Sequence, residues 1–102
     1  MPPNDFAMIV AELSMIPMGT STSASKYVRA IHQVLRESGL KFVPSPMCTV
    51  VEAGSMAEIF KAVEKADEVL AGMGVGRIIT TVKIDHRLDK EISIETKMGA
   101  IR

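Results

Sequence analysis

Ala7-Met8-Ile9-Val10-Ala11-Glu12-Leu13-Ser14-Met15-Ile16 runs directly into Pro17-Met18-Gly19-Thr20-Ser21-Thr22-Ser23, and the join between these runs decides how the chain is read. In the first run Ile9, Ala11, Leu13 and Met15 fall on one face of a strand, with Met8, Val10, Glu12, Ser14 and Ile16 on the other. The first face is wholly apolar and reads as buried; the second is mixed. Pro17 removes a backbone donor and stops the pattern, Gly19 permits a tight bend, and four consecutive hydroxyl residues follow. Ser23 or Ser25 reads as the N-cap of a helix that begins there. A capped turn needs fewer hydroxyls than this, so the loop is also a candidate site.

Working outward, Val28, Ile31, Val34 and Leu35 recur at helical spacing from about residue 25 to 38, and Gly39 stands where a helix stops. Leu40 to Val43 and Met47 to Ala53 are short apolar runs on either side of Pro44-Ser45-Pro46. They read as an edge strand, a turn and a second strand. Ser55 and Glu58 spell a capping box for a helix from Met56 to about Met73, with Ile59, Phe60, Val63, Ala66, Leu70 and Met73 inward. Arg77 to Asp85 is rich in β-branched residues and alternates like a strand. Ile94, Met98 and Ile101 then mark a short terminal helix, expected to dock on the body or on a partner.

The order β-α-β-β-α-β predicts an α+β chain of the ferredoxin-like kind: a four-stranded antiparallel sheet with two helices on one face and a C-terminal helical tail. Residues 1–102 read as one domain, with 1–6 a lead and 88–102 the tail. The first and third strands become central and the last flanks the first. Glu12, Ser14, Glu52, Thr81, Lys83 and Asp85 then share the outer face with Met8, Val10, Ile16, Val50 and Ile79. An apolar face with pairable charges reads as a contact between copies, so a homo-oligomer is expected.

Twelve basic and twelve acidic residues cancel, leaving no long-range field to recruit nucleic acid or an anionic membrane. With four aromatic residues and no tryptophan, the chain also lacks a stacking platform for single strands. A signal peptide and a long apolar run are missing, and Cys48, the single cysteine, has no internal disulfide partner; a cytoplasmic protein is expected. Cys48 reads as a small packed side chain and His32 and His86 as boundary or surface residues. Asp85, His86 and Asp89 lack a fixed metal-ligand spacing. No Ser-His-Asp order or nucleotide fingerprint is present, so neither catalysis nor a cofactor or metal is expected.

Three segments carry a family resemblance: Ile16-Pro17-Met18-Gly19-Thr20-Ser21-Thr22-Ser23, Pro46-Met47-Cys48-Thr49-Val50-Val51-Glu52-Ala53-Gly54 and Thr80-Thr81-Val82-Lys83-Ile84-Asp85-His86-Arg87. Together and in order they resemble the signature regions of the small thiamine-binding protein family, related to the YkoF proteins. The resemblance spans residues 8–102. It implies a ferredoxin-like fold, dimers that pair as tetramers through sheet faces, and binding of thiamine or its hydroxymethyl-pyrimidine part without a reaction. Thiamine has a permanent positive charge and an aminopyrimidine edge, which suit carboxylates and hydroxyls. Glu12, Ser14, Gly19, Thr20, Ser21, Thr49 and Glu52 are the expected ligand-binding residues, and Tyr27 is an aromatic near the loop that would stack on a pyrimidine or sit in the core. Two other readings stay open: an assembly module without a small ligand, and a phosphoryl-handling enzyme using the hydroxyl loop.

Overall fold

The structure, a computed structural model, describes residues 8–20 and 24–102. Its elements are β1 (Ile9–Met18), α1 (Ser25–Glu37), β2 (Lys41–Pro44), β3 (Thr49–Ala53), α2 (Met56–Gly72), β4 (Arg77–His86) and α3 (Ile94–Gly99). All pairings are antiparallel and the sheet order is β2-β3-β1-β4, with β1 and β3 central as the ferredoxin-like arrangement requires. Register fixes the faces. Glu12 lies opposite Val50 and Lys83, and Val10 opposite Glu52 and Asp85, so all of these share one face.

The opposite face meets α1 and α2. Leu13, Met15 and Val51 pack there against Tyr27, Ile31, Val34 and Leu35 of α1 and Ala62, Ala66 and Leu70 of α2. Ile9, Ala11, Ala53 and Ile59 continue the core toward the other end of the sheet. Tyr27 is therefore a core residue, 6% exposed, and not a stacking platform.

The ends of the helices follow local rules, with one correction. The Ser55 side chain accepts from the Glu58 N–H while the Glu58 carboxylate accepts from the Ser55 N–H, the expected capping box. α1 has Ala24 at its N-cap, without a side-chain bond, so Ser25 is the first helical residue and not the cap; Ser23 lies outside the described residues. Both long helices end in a Schellman motif. Leu40 N–H reaches the Leu35 carbonyl at 3.1 Å and Val75 N–H the Leu70 carbonyl at 3.2 Å, across Gly39 (φ 73) and Gly74 (φ 92).

Three further sequence expectations shift. Phe60 is exposed because it lies about 100° around α2 from Ile59, outside the arc that Ala62 and Ala66 bring close to the core. Met73 is exposed because it caps the helix end. Pro44 pairs with Thr49 as the last residue of β2, so the turn is Ser45 to Cys48 and β3 begins at Thr49; an edge strand tolerates the proline's missing donor.

The tail docks on the body. Ile92 and Ile94 pack on Val10, with Val50 alongside, so the outer sheet face is covered at one end instead of lying open. Ile94 N–H donates to a Glu52 carboxylate oxygen at 2.8 Å, and Lys97 pairs with Asp85. Ser93 caps α3 reciprocally with Thr96. No helix among the described residues is long and apolar enough to cross a membrane.

Candidate functional site

A cavity of about 310 Å³ opens where β1 and β3 meet the first half of α1 and the β2–β3 turn. That volume is at the lower end of the range of small-molecule sites. Its walls are mostly apolar, from Met15, Ile16, Val28, Ile31 and the prolines of the turn, with Ser14, His32, Cys48 and Thr49 supplying the polar groups. The turn is held by Ser45, whose N–H and hydroxyl both donate to the Cys48 carbonyl, at 2.9 and 2.7 Å. This closure aims the Cys48 thiol at Glu12: Sγ donates to Oε2 at 3.5 Å and lies 3.3 Å from the Ser45 hydroxyl. Glu12 also stands 3.9 Å from Lys83 on β4, an exposed pair worth little to stability.

The inner wall is a side-chain pair that no local pattern announces. His32 Nε2 and Thr49 Oγ1 are 3.0 Å apart, and the imidazole stacks on Phe42 with centroids 5.1 Å apart. Thr49 is 7% exposed, a buried polar residue on the sheet's inner face. Burial lowers the His32 pKa below its ordinary 6.5, and the positive charge of Arg36, one turn further along α1, lowers it again. The imidazole is therefore neutral at physiological pH, one nitrogen donating and the other accepting. His32 borders the buried stripe of α1, as its helical spacing predicts; its partner Thr49, on β3, lies outside any helix pattern.

The profile of the thiamine-binding protein family matches residues 11–102. The chain belongs to the thiamine-binding protein family. A UPF0045 protein of Methanothermobacter thermautotrophicus is 38% identical over 96 residues, covering 93% of this chain and 97% of that one. The crystal structure of the MJ1052 protein of Methanocaldococcus jannaschii superposes with a TM-score of 0.84 at 41% identity, covering 92% of this chain and 95% of that one. A Thermotoga maritima protein assigned provisionally to thiamine biosynthesis or salvage shares the fold, with a TM-score of 0.80 at 21% identity and coverage of 93% and 99%. Family membership places thiamine first among ligands to be tested.

Within this family member the sequence-predicted residues divide. Ser14 and Thr49 line the cavity, and Glu12 reaches its rim through Cys48. Thr49 points to the helix face and Glu12 to the outer face, so the site straddles the end of the sheet. Gly19, with φ 76, and Thr20, whose hydroxyl donates to the Pro17 carbonyl at 3.4 Å, form the turn beyond β1. Ser21 lies outside the described residues. Glu52 stands on the outer face opposite Val10, with its carboxylate taken by the Ile94 N–H.

Around that outer face a second, wider groove of about 870 Å³ runs beneath α3, with Val10 and Val50 as its floor and Glu12, Lys41, Lys83 and Arg102 among its charged groups. Among the described residues no cluster of three metal-ligating side chains occurs. Asp85 pairs with Lys97, and the Arg87 hydrogen bond holds the Asp89 carboxyl down at about 2.

Proposed function

We propose that this protein is a cytoplasmic homo-oligomer that binds thiamine or its hydroxymethyl-pyrimidine part, as a carrier, buffer or sensor without chemistry of its own. The observation that carries the reading is the cavity at the end of β1. Its apolar walls suit a flat heteroaromatic ring, the Ser14 hydroxyl and the His32–Thr49 pair offer hydrogen bonds to an aminopyrimidine edge, and Glu12 provides negative charge at the rim for a thiazolium. Gly19 and Thr20, just past Met18 of β1, are proposed as further contacts of the ligand. Glu52 would act on it through the tail that it anchors.

Titration calorimetry with thiamine, hydroxymethyl-pyrimidine and their phosphates tests this. Saturable heat is expected for at least one of them. Glu12→Gln should weaken thiamine about tenfold, the low end of a charge-assisted contact because Glu12 is half exposed. An absence of heat and of thermal shift with every one of these compounds would remove the reading.

The assembly part of the proposal draws on the outer face, where Ile16, Val43 and Ile79 are 50%, 42% and 41% exposed around the half-exposed Glu12. Burying these against a second copy, in dimers that pair as tetramers, would remove apolar area that a lone chain leaves in water. Lys83→Glu places two carboxylates side by side at the Glu12–Lys83 pair, and light scattering should then show a smaller particle than wild type. An unchanged mass would place the contact elsewhere. The same exposed residues favour the second reading, an assembly module without ligand, which predicts an oligomer that gives no heat with thiamine.

A further inference from the structure

We infer that His32 is the proton-sensitive recognition residue of the cavity, accepting a cationic heteroaromatic amine only while its imidazole is neutral. This rests on the thiamine reading above and names the regulation of that site.

His32 is held in the cavity wall from two sides. It lines the cavity, its Nε2 is engaged by Thr49 at 3.0 Å, and its ring is stacked on Phe42. Swinging the ring into solvent would lose both contacts and leave the Thr49 hydroxyl buried without its partner, a cost that keeps the imidazole in the wall.

The charged groups around it all oppose a positive imidazole or stand away from it. From α1, Arg36 lies against Phe42, its Cζ 5.6 Å from that ring, while Glu37 accepts from Gln33 on the exposed side of the helix. β2 turns Phe42 and Pro44 toward α1, β3 turns Thr49 and Val51, and β1 turns Leu13 and Met15; none is charged. The turn contributes the Cys48 thiol. Glu12, the carboxylate at the rim, sits on the other face of the sheet and reaches the cavity through that thiol. A proton on His32 therefore meets Arg36 on its own face and no carboxylate.

Protonation has two consequences for a ligand. It converts the accepting nitrogen into a donor, so a wall that could both give and take a hydrogen bond can only give. It also adds positive charge to a cavity whose ligand is itself a cation. Binding then favours the neutral imidazole and lowers the His32 pKa further. By linkage, affinity falls as pH drops through the pKa of the free protein, approaching about tenfold per pH unit below it.

The test combines calorimetry between pH 8 and about pH 5.5 with an NMR titration of the histidine side chains, using thiamine and hydroxymethyl-pyrimidine as probes. For wild type, affinity is expected to fall as the pH drops through the His32 pKa that the NMR titration finds in the free protein. His32→Gln keeps a hydrogen-bonding group beside Thr49 but does not titrate, so its profile should be flatter; protonation of the ligand itself is common to both proteins and cancels. Saturating thiamine should lower the His32 pKa. Equal slopes for the two proteins, or a His32 pKa indifferent to saturating ligand, would overturn the inference while leaving thiamine binding intact. Wild type that binds neither probe at any pH would overturn both. Should the variant fail to fold, the wild-type NMR titration decides alone.

Discussion

Leu70→Ala is expected to lower the stability of the fold by about 2–5 kcal/mol, among the largest effects open to a single substitution here. Leu70 is fully buried on the inner face of α2, in the cluster that joins both long helices to β1 and β3. The residues one and two turns before it on that face are Ala66 and Ala62, too small to fill the space that a missing isobutyl group leaves. The void would therefore persist, which places the cost above bare transfer. The Schellman bond from Val75 uses the Leu70 carbonyl and survives the change, so the loss reports packing and not helix termination. Urea unfolding should show a lower midpoint at unchanged slope. A loss below about 1 kcal/mol would mean that the α2 face relaxes to fill the void.

Glu52→Ala should cost about 1.5–3 kcal/mol and act on the tail. The carboxylate accepts the Ile94 N–H at 2.8 Å, bonding the first residue of α3 to the middle of the sheet. Removing it leaves that donor without its partner beside Ile92 and Val10, and releases the apolar contact that depends on it. Hydrogen exchange should quicken at Ile94 and Thr96 while the amides of β1 stay protected. Glu52→Gln, which still offers a carbonyl oxygen, should recover most of the loss. Glu95→Ala, on the exposed side of the same helix, should change stability by less than about 0.5 kcal/mol. Equal exchange at Ile94 in wild type and Glu52→Ala would show that the tail is held by Ile92 and Ile94 alone.

The difference between Glu52 and Glu12 shows how far residue types can be read. Both are acidic residues on mixed strand faces, and both suit a cationic ligand. The face of each was legible, since alternation along β1 and β3 settles it. One partner of each was not. Glu52 is engaged by a backbone amide 42 residues away and Glu12 is approached by a thiol 36 residues away, and no local pattern encodes either meeting. His32 and Thr49, 17 residues apart, are a third case: each looked ordinary in its own element, and only the crossing of α1 over β3 makes them one polar wall. Caps and helix ends sit between these extremes. Ser55 with Glu58 was readable because the motif is local, whereas the hydroxyl-rich approach to α1 misled because Ala24, and no hydroxyl, occupies its N-cap.

By itself, then, the sequence determined the element order, the antiparallel sheet with β1 and β3 at its centre, and the faces of its strands. Period-two alternation and the handedness of crossovers leave few other ways to bury Ile9, Ala11, Leu13 and Met15. The three resembling segments also led to the family, because they recur in order along the chain. Tertiary structure alone decided that the tail folds back over Val10 and that Ser14, Cys48, Thr49 and His32 converge on one cavity, with Glu12 reached through the Cys48 thiol. Such meetings depend on register, helix crossing and side-chain rotamer acting together. A shift of one residue in β3 would turn Thr49 to the outer face and break the pair with His32, although the amino-acid pattern around it would read the same.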